Sequence, residues 1–214
     1  MVDGVDVSKF QAGIDWTKVR AAERAFVFIR ASDGANGSNE TTFATKWVGA
    51  RSAGLICGAY HLFRPSSDMG AVRAQADLFL RRFNEGVPSG EVGYLPPVID
   101  VEISGIRISN ADYVKGIQAW IDAIEPSDRF RGMKTIVYTR AGFWTQIGDP
   151  KSFADHPLWV ADYSKDPPRV PTPWGSWTFF QHSDSGHVDG VSGNVDLDRF
   201  NGTLADLQAL VRTE

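Results

Sequence analysis

Two carboxylates stand two residues apart in the apolar stretch Pro97-Val98-Ile99-Asp100-Val101-Glu102-Ile103. Burying an acid in such a run is costly unless the acid has a partner or a task. Side chains alternate along a strand, so Ile99, Val101 and Ile103 face one way, and Asp100 and Glu102 the other. The same design occurs twice more. Val5 and Val7 oppose Asp6 and Ser8, and Val195 and Leu197 oppose Asp196 and Asp198. Carboxyls gathered in one partly desolvated pit force at least one pKa upward. A raised acid beside an ionised partner is what glycoside cleavage needs: one group protonates the leaving oxygen, the other stabilises positive charge at the sugar carbon. Two other readings stay open. Clustered carboxylates could hold a divalent cation, although His61, His156, His182 and His187 show no metal-binding spacing, and we expect no metal and no cofactor. An acid at a strand end also commonly caps the next loop. Asp198, beside Arg199, is the best case for that plain role, and Glu102 the worst.

Bringing these acids together requires a particular order of elements. Apolar alternations rich in β-branched and aromatic residues occur near 4–8, 26–31, 55–63, 97–102, 134–139, 158–163, 176–182 and 194–198. Helical periodicity fills 15–23, 42–53, 69–84, 111–125, 141–147 and 203–212, with Ser109 and Asp112 resembling a capping box. The first five strands therefore alternate with helices, which implies right-handed βαβ units and a mostly parallel sheet. The last three are joined by Pro- and Gly-rich linkers with no room for a packed helix. The expected fold class is α/β, an irregular TIM-like barrel of five β/α units followed by three strands without intervening helices. An open, doubly wound sheet is the rival, but no Gly-rich phosphate loop follows the first strand. In a closed barrel strands one and eight are neighbours, so Asp6 and Asp196 should meet at the mouth, with Asp100 and Glu102 projecting across it.

Bulk properties bound the function. The chain has 214 residues, 43% hydrophobic and 22% charged, an ordinary globular composition. Its net charge of −4 offers no basic field for nucleic acid or an anionic membrane. Seven Trp and thirteen Phe suit a deep core or a cleft that stacks on ring-shaped ligands. One cysteine, Cys57, excludes an intramolecular disulfide and reads as a buried thiol. No stretch has the length of a transmembrane helix, and the start MVDGVDVSKF shows no leader pattern.

Six ordered motifs carry a resemblance: DGVDVSKFQAGIDW, GAYHLFRP, LPPVIDVE, LWVADY, WTFFQHS and GNVDLDRFNG. Together, over roughly 2–207, they resemble family 25 of the glycoside hydrolases, the Ch-type lysozymes that act as N-acetylmuramidases. The resemblance implies one catalytic domain over 1–214, without a separate cell-wall-binding domain, acting as a monomer on bacterial peptidoglycan outside the cell or at the cell wall. It implies Glu102 as general acid and Asp100 as the group that orients the substrate N-acetyl or stabilises the cation. Asp6 and Asp196 become supporting carboxylates, and Tyr60, Tyr138, Trp159, Asp162 and Gln181 line the saccharide groove. Core packing is the competing role for Trp159. Asp162 shares a face with Val160, which leaves its inward direction open. The chain departs from the family's KATEG with RASDG, placing Arg30 for Lys and Asp33 for Glu. Stereochemistry stays open, because carboxyl separation decides it. A binding module that has lost catalysis would lack one of the acids, and all four are present. A metal-assisted deacetylase is the other rival, while the longer chitinase signature D-x-x-D-x-D-x-E is absent.

Overall fold

The computed structural model describes residues 1–37, 40–104 and 107–213. Eight strands form a closed barrel in sequence order. The elements are β1 (Val2–Val7), α1 (Trp16–Ala21), β2 (Phe26–Asp33), α2 (Phe43–Ser52), β3 (Ile56–Leu62), α3 (Met69–Gly86), β4 (Val98–Asp100) and α4 (Asn110–Ile124). Then follow β5 (Ile136–Thr139), α5 (Ala141–Gln146), a 3₁₀ turn (Lys151–Phe153), β6 (Leu158–Ala161), β7 (Phe179–Gly186), β8 (Val195–Phe200) and α6 (Leu204–Ala209). Five β/α units and a three-strand finish are thus present, as the spacing implies. Neighbours from β1 to β7 are parallel, whereas β8 runs antiparallel to both β7 and β1. That reversal brings the beginning of β8 to the end of the barrel where the other strands finish.

Strand parity sorts the two sides. Val5, Val7, Val27, Ile29, Ile99 and Val101 face outward into one cluster with helix residues such as Trp47, Phe79, Ile117 and Trp120. Cys57 is buried in the same layer. The helices present matching stripes: α3 buries Val72, Ala76, Phe79 and Phe83, and α4 buries Ile117, Trp120, Ile121 and Ile124. Their starts are capped, by Asp68 accepting from Gly70 N–H at 2.8 Å and by Ser109 Oγ accepting from Asp112 N–H at 3.0 Å.

Inside the barrel an aromatic plug of Phe26, Phe28, Trp159, Phe179 and Phe200 fills the floor. Phe28 stacks on Trp159 with centroids 4.5 Å apart. Two glycines make room for it. A Cβ at Gly4 would lie 2.5 Å from the Phe26 ring, and one at Gly58 would lie 2.4 Å from the Phe28 ring.

Several strand ends differ from the periodicity. β4 stops at Asp100, so Glu102 stands beyond the ladder rather than on it. β6 stops at Ala161 because the Asp162 carboxylate turns the chain, accepting from the N–H groups of Ser164 and Arg169, each at 3.1 Å. β7 continues to Gly186 through two register shifts against β8, well past the expected end near His182.

Candidate active site

Above the aromatic plug, at the C-terminal ends of the parallel strands, the interior turns polar and opens as a pit of about 330 Å³. Asp6 on β1 faces Asp196 directly across the antiparallel ladder. Asp198 lies one step deeper, in register with Gln181 of β7, and accepts from Trp159 Nε1–H at 2.9 Å. Gln181 ties this wall together. Its Nε2 donates to Asp6 Oδ2 at 2.6 Å, while its Oε1 accepts from the Tyr138 and Tyr163 hydroxyls at 2.7 and 2.6 Å. Two phenol donors on the oxygen leave the amide nitrogen for the carboxylate, so the side chain has one satisfied orientation.

Across the pit, Asp100 ends β4 and Glu102 follows it. Their surroundings differ. Asp100 is 7% exposed, and its Oδ1 is buried without a hydrogen-bond partner among the described residues. The Glu102 side chain keeps 31% exposure, with Arg140 Nη2 at 3.7 Å from Oε2. Arg30 faces the same cavity, and its Nε donates to the buried Glu40 at 2.5 Å.

Burial is the main electrostatic force on these acids. It raises Asp6 well above the carboxylate range, helped by the charges of Asp198 and Asp196 and opposed by the Gln181 hydrogen bond. It raises Asp100 likewise, helped by Glu102 and opposed by Arg30 and Arg140. It raises Asp198, with Asp196 adding to the effect. Asp196, less enclosed, is pushed up to about 6 by burial, then by Asp184 and Glu102. Burial and mutual repulsion thus hold these carboxyls above their ordinary proton affinity, only partly offset by Gln181, Arg30 and Arg140. Among the described residues no three His, Cys, Asp or Glu side chains form a group that could hold a metal ion.

Comparison with known proteins decides what kind of pit this is. A family model described as glycosyl hydrolases family 25 matches residues 5–191. Lysozyme M1 of Streptomyces globisporus is 37% identical over 214 residues, covering 98% of this chain and 71% of that protein. The chain belongs to glycosyl hydrolase family 25. It is accordingly a glycoside hydrolase. The N,O-diacetylmuramidase of Chalaropsis sp is 31% identical, with 98% of both chains covered. In structure, a bacterial lysozyme from Streptomyces coelicolor superposes with a TM-score of 0.85 at 35% identity, covering 98% of this chain and 96% of that one.

In this family 25 hydrolase, Asp6, Asp100, Glu102, Asp196, Tyr60, Tyr138, Trp159 and Gln181 all border the pit. Trp159 serves the core as well, since it is 2% exposed and its ring rests on Phe28. Asp162 does not reach the pit; its oxygens are taken by Ser164 and Arg169, and it lines a neighbouring cavity. Asp198 is not a partner of Arg199, which turns outward to Asp166 at 2.5 Å. Asp33, the shortened residue of RASDG, is held by Arg64 at 2.7 and 3.1 Å and stays out of the lining.

Four lining residues carry no signal in strand periodicity: Arg140 and Tyr163 stand one and two residues past strand ends, Phe10 and Asp184 in irregular or bulged backbone. Asp198 was accessible to the parity rule, since it shares a face with Asp196, but its neighbour Arg199 offered a simpler partner.

Proposed function

We propose that the enzyme is a lysozyme that hydrolyses the β-1,4 bond between N-acetylmuramic acid and N-acetylglucosamine in peptidoglycan. The observation that carries this reading is the contrast within the pit: Glu102 reaches the opening while Asp6 and Asp100 are buried. The names of the relatives, a lysozyme and an N,O-diacetylmuramidase, point to the same substrate. Protonated Glu102 donates to the glycosidic oxygen as its bond to the muramyl C1 breaks. The neighbouring acetamido oxygen closes onto C1, and the Asp100 carboxyl, which borders the pit, accepts the acetamido N–H and stabilises the cyclic cation. Water then adds at C1 and returns a proton to Glu102, which restores the acid.

The remaining residues hold the sugar. Asp6 and Asp196 form the opposite wall, and Gln181 holds Asp6, Tyr138 and Tyr163 in place. Tyr60, Tyr138 and Trp159 border the pit as an aromatic surface against which the apolar faces of a saccharide pack. Phe10 is 75% exposed on the rim, with Lys9 and Arg30 over its ring at 5.5 and 5.6 Å. The barrel acts as one catalytic domain, as a monomer and at the cell wall. No helix among the described residues is long and apolar enough to cross a membrane.

The test is Glu102→Gln. That variant keeps the size and the fold, and its clearing of purified walls should fall by about 10³-fold or more. Clearing at the wild-type rate would remove Glu102 as the acid.

A further inference from the structure

A second cavity, of about 410 Å³, adjoins the pit and differs from it in charge. The two share a wall made by Arg140 and Tyr163, whose contact is a cation over a ring at 5.1 Å together with a 3.3 Å hydrogen bond. Three cations line the second cavity: Arg140, Lys165 and Arg169. Only one carboxylate, Asp162, is among its lining residues. Asp162 accepts its hydrogen bonds from the Ser164 N–H and hydroxyl and from the Arg169 N–H, and it meets Lys165 only through the longer-range attraction of the two charges. Among the described residues, neither Lys165 nor Arg169 forms an ion pair. The Arg169 guanidinium lies over Gly142, where an added Cβ would stand 3.4 Å from Nη2.

A chain with a net charge of −4 thus keeps two cations outside any ion pair among the described residues, Lys165 and Arg169, beside Arg140 at the edge of its pit. Cations so placed select an anion that arrives together with the sugar. Peptidoglycan supplies one by covalent attachment, because each muramyl residue bears a short peptide with free carboxylates. We propose that this cavity is a second subsite, which takes carboxylates of the peptide branch while the glycan strand occupies the pit. The proposal rests on the muramidase reading above. Arg140 links the two sites: its guanidinium faces Glu102 on one side and the cationic cavity on the other.

The experiment compares kcat/KM on two soluble glycans, one carrying its peptides and the same glycan stripped of them by an amidase. The wild-type enzyme should favour the peptide-bearing glycan by about three- to tenfold at low salt, with the preference shrinking as salt is added. The double variant Lys165→Glu with Arg169→Glu should lose that preference. The conservative pair Lys165→Arg with Arg169→Lys should keep it, which separates a charge effect from damage to the loop. Equal wild-type rates on both glycans, an unchanged preference in the charge-reversed variant, or equal losses on both substrates would each overturn the proposal. So would a loss seen only on walls that retain a phosphate polymer, which would assign the cavity to that anion. Wild-type enzyme that cleaves neither glycan removes the muramidase reading itself.

Discussion

Asp198 is the residue whose surroundings cost the fold most plainly. It is 1% exposed, has one oxygen on the Trp159 indole and the other without a partner among the described residues, and sits beside two more carboxyls. Burial, then Asp196, raises its pKa well above the ordinary value, so the folded chain binds this proton more tightly than the unfolded one. Its contribution is therefore most favourable below about pH 4 and declines as pH rises from there. Asp198→Asn retains an acceptor for Trp159 and removes the ionisation. The variant should match the wild type near pH 4 and exceed it by about 1–2 kcal/mol at pH 7, a rise of about 2–4 °C in Tm per kcal/mol. Thermal melts at the two pH values check this, and a variant less stable at pH 7 than the wild type would refute it. At this scale the Asp100 and Glu102 pair was legible from spacing alone. The Gln181 bridge to Asp6 was not, because its partners lie 175 residues apart and no local pattern encodes that meeting.

At the scale of elements, His61 locks β2, β3 and α3 behind the pit. Its Nδ1 meets Ser32 Oγ at 2.8 Å, its Nε2 meets Gln75 Oε1 at 3.1 Å, and its ring lies on Trp120 of α4. Burial lowers its pKa to about 4. Here the unfolded chain binds the proton more tightly, so stability is complete above about pH 6.5 and falls as pH drops towards 4. The full swing is worth roughly 3 kcal/mol. His61→Leu should flatten that acid limb in denaturant titrations. It should also cost about 1–3 kcal/mol at neutral pH, since Ser32 and Gln75 lose a buried partner. An acid limb unchanged in the variant would show that other groups produce it. Element order and type were readable from alternating and helical periods. The direction of β8 was not, because a strand of six residues has the same alternation whichever way it runs. That direction matters, since only the antiparallel arrangement puts Asp196 rather than Phe200 at the mouth.

The whole molecule divides its interior between two tasks. Phe26, Phe28, Phe179 and Phe200 close the lower barrel as a packed floor, and five acids collect at one rim above it. The outer helices bury the opposite faces of the strands, so the cost of desolvating the acids is met by a continuous apolar layer. The pit, its clustered carboxyls and the adjoining cationic cavity then act on one polymer, whose sugar and peptide parts differ in charge. Mass analysis of borohydride-reduced fragments from purified peptidoglycan digested with the enzyme tests that most directly. New reducing ends should be N-acetylmuramic acid with the acetyl group retained. Reducing ends of N-acetylglucosamine, or soluble fragments with no new reducing end, would contradict it.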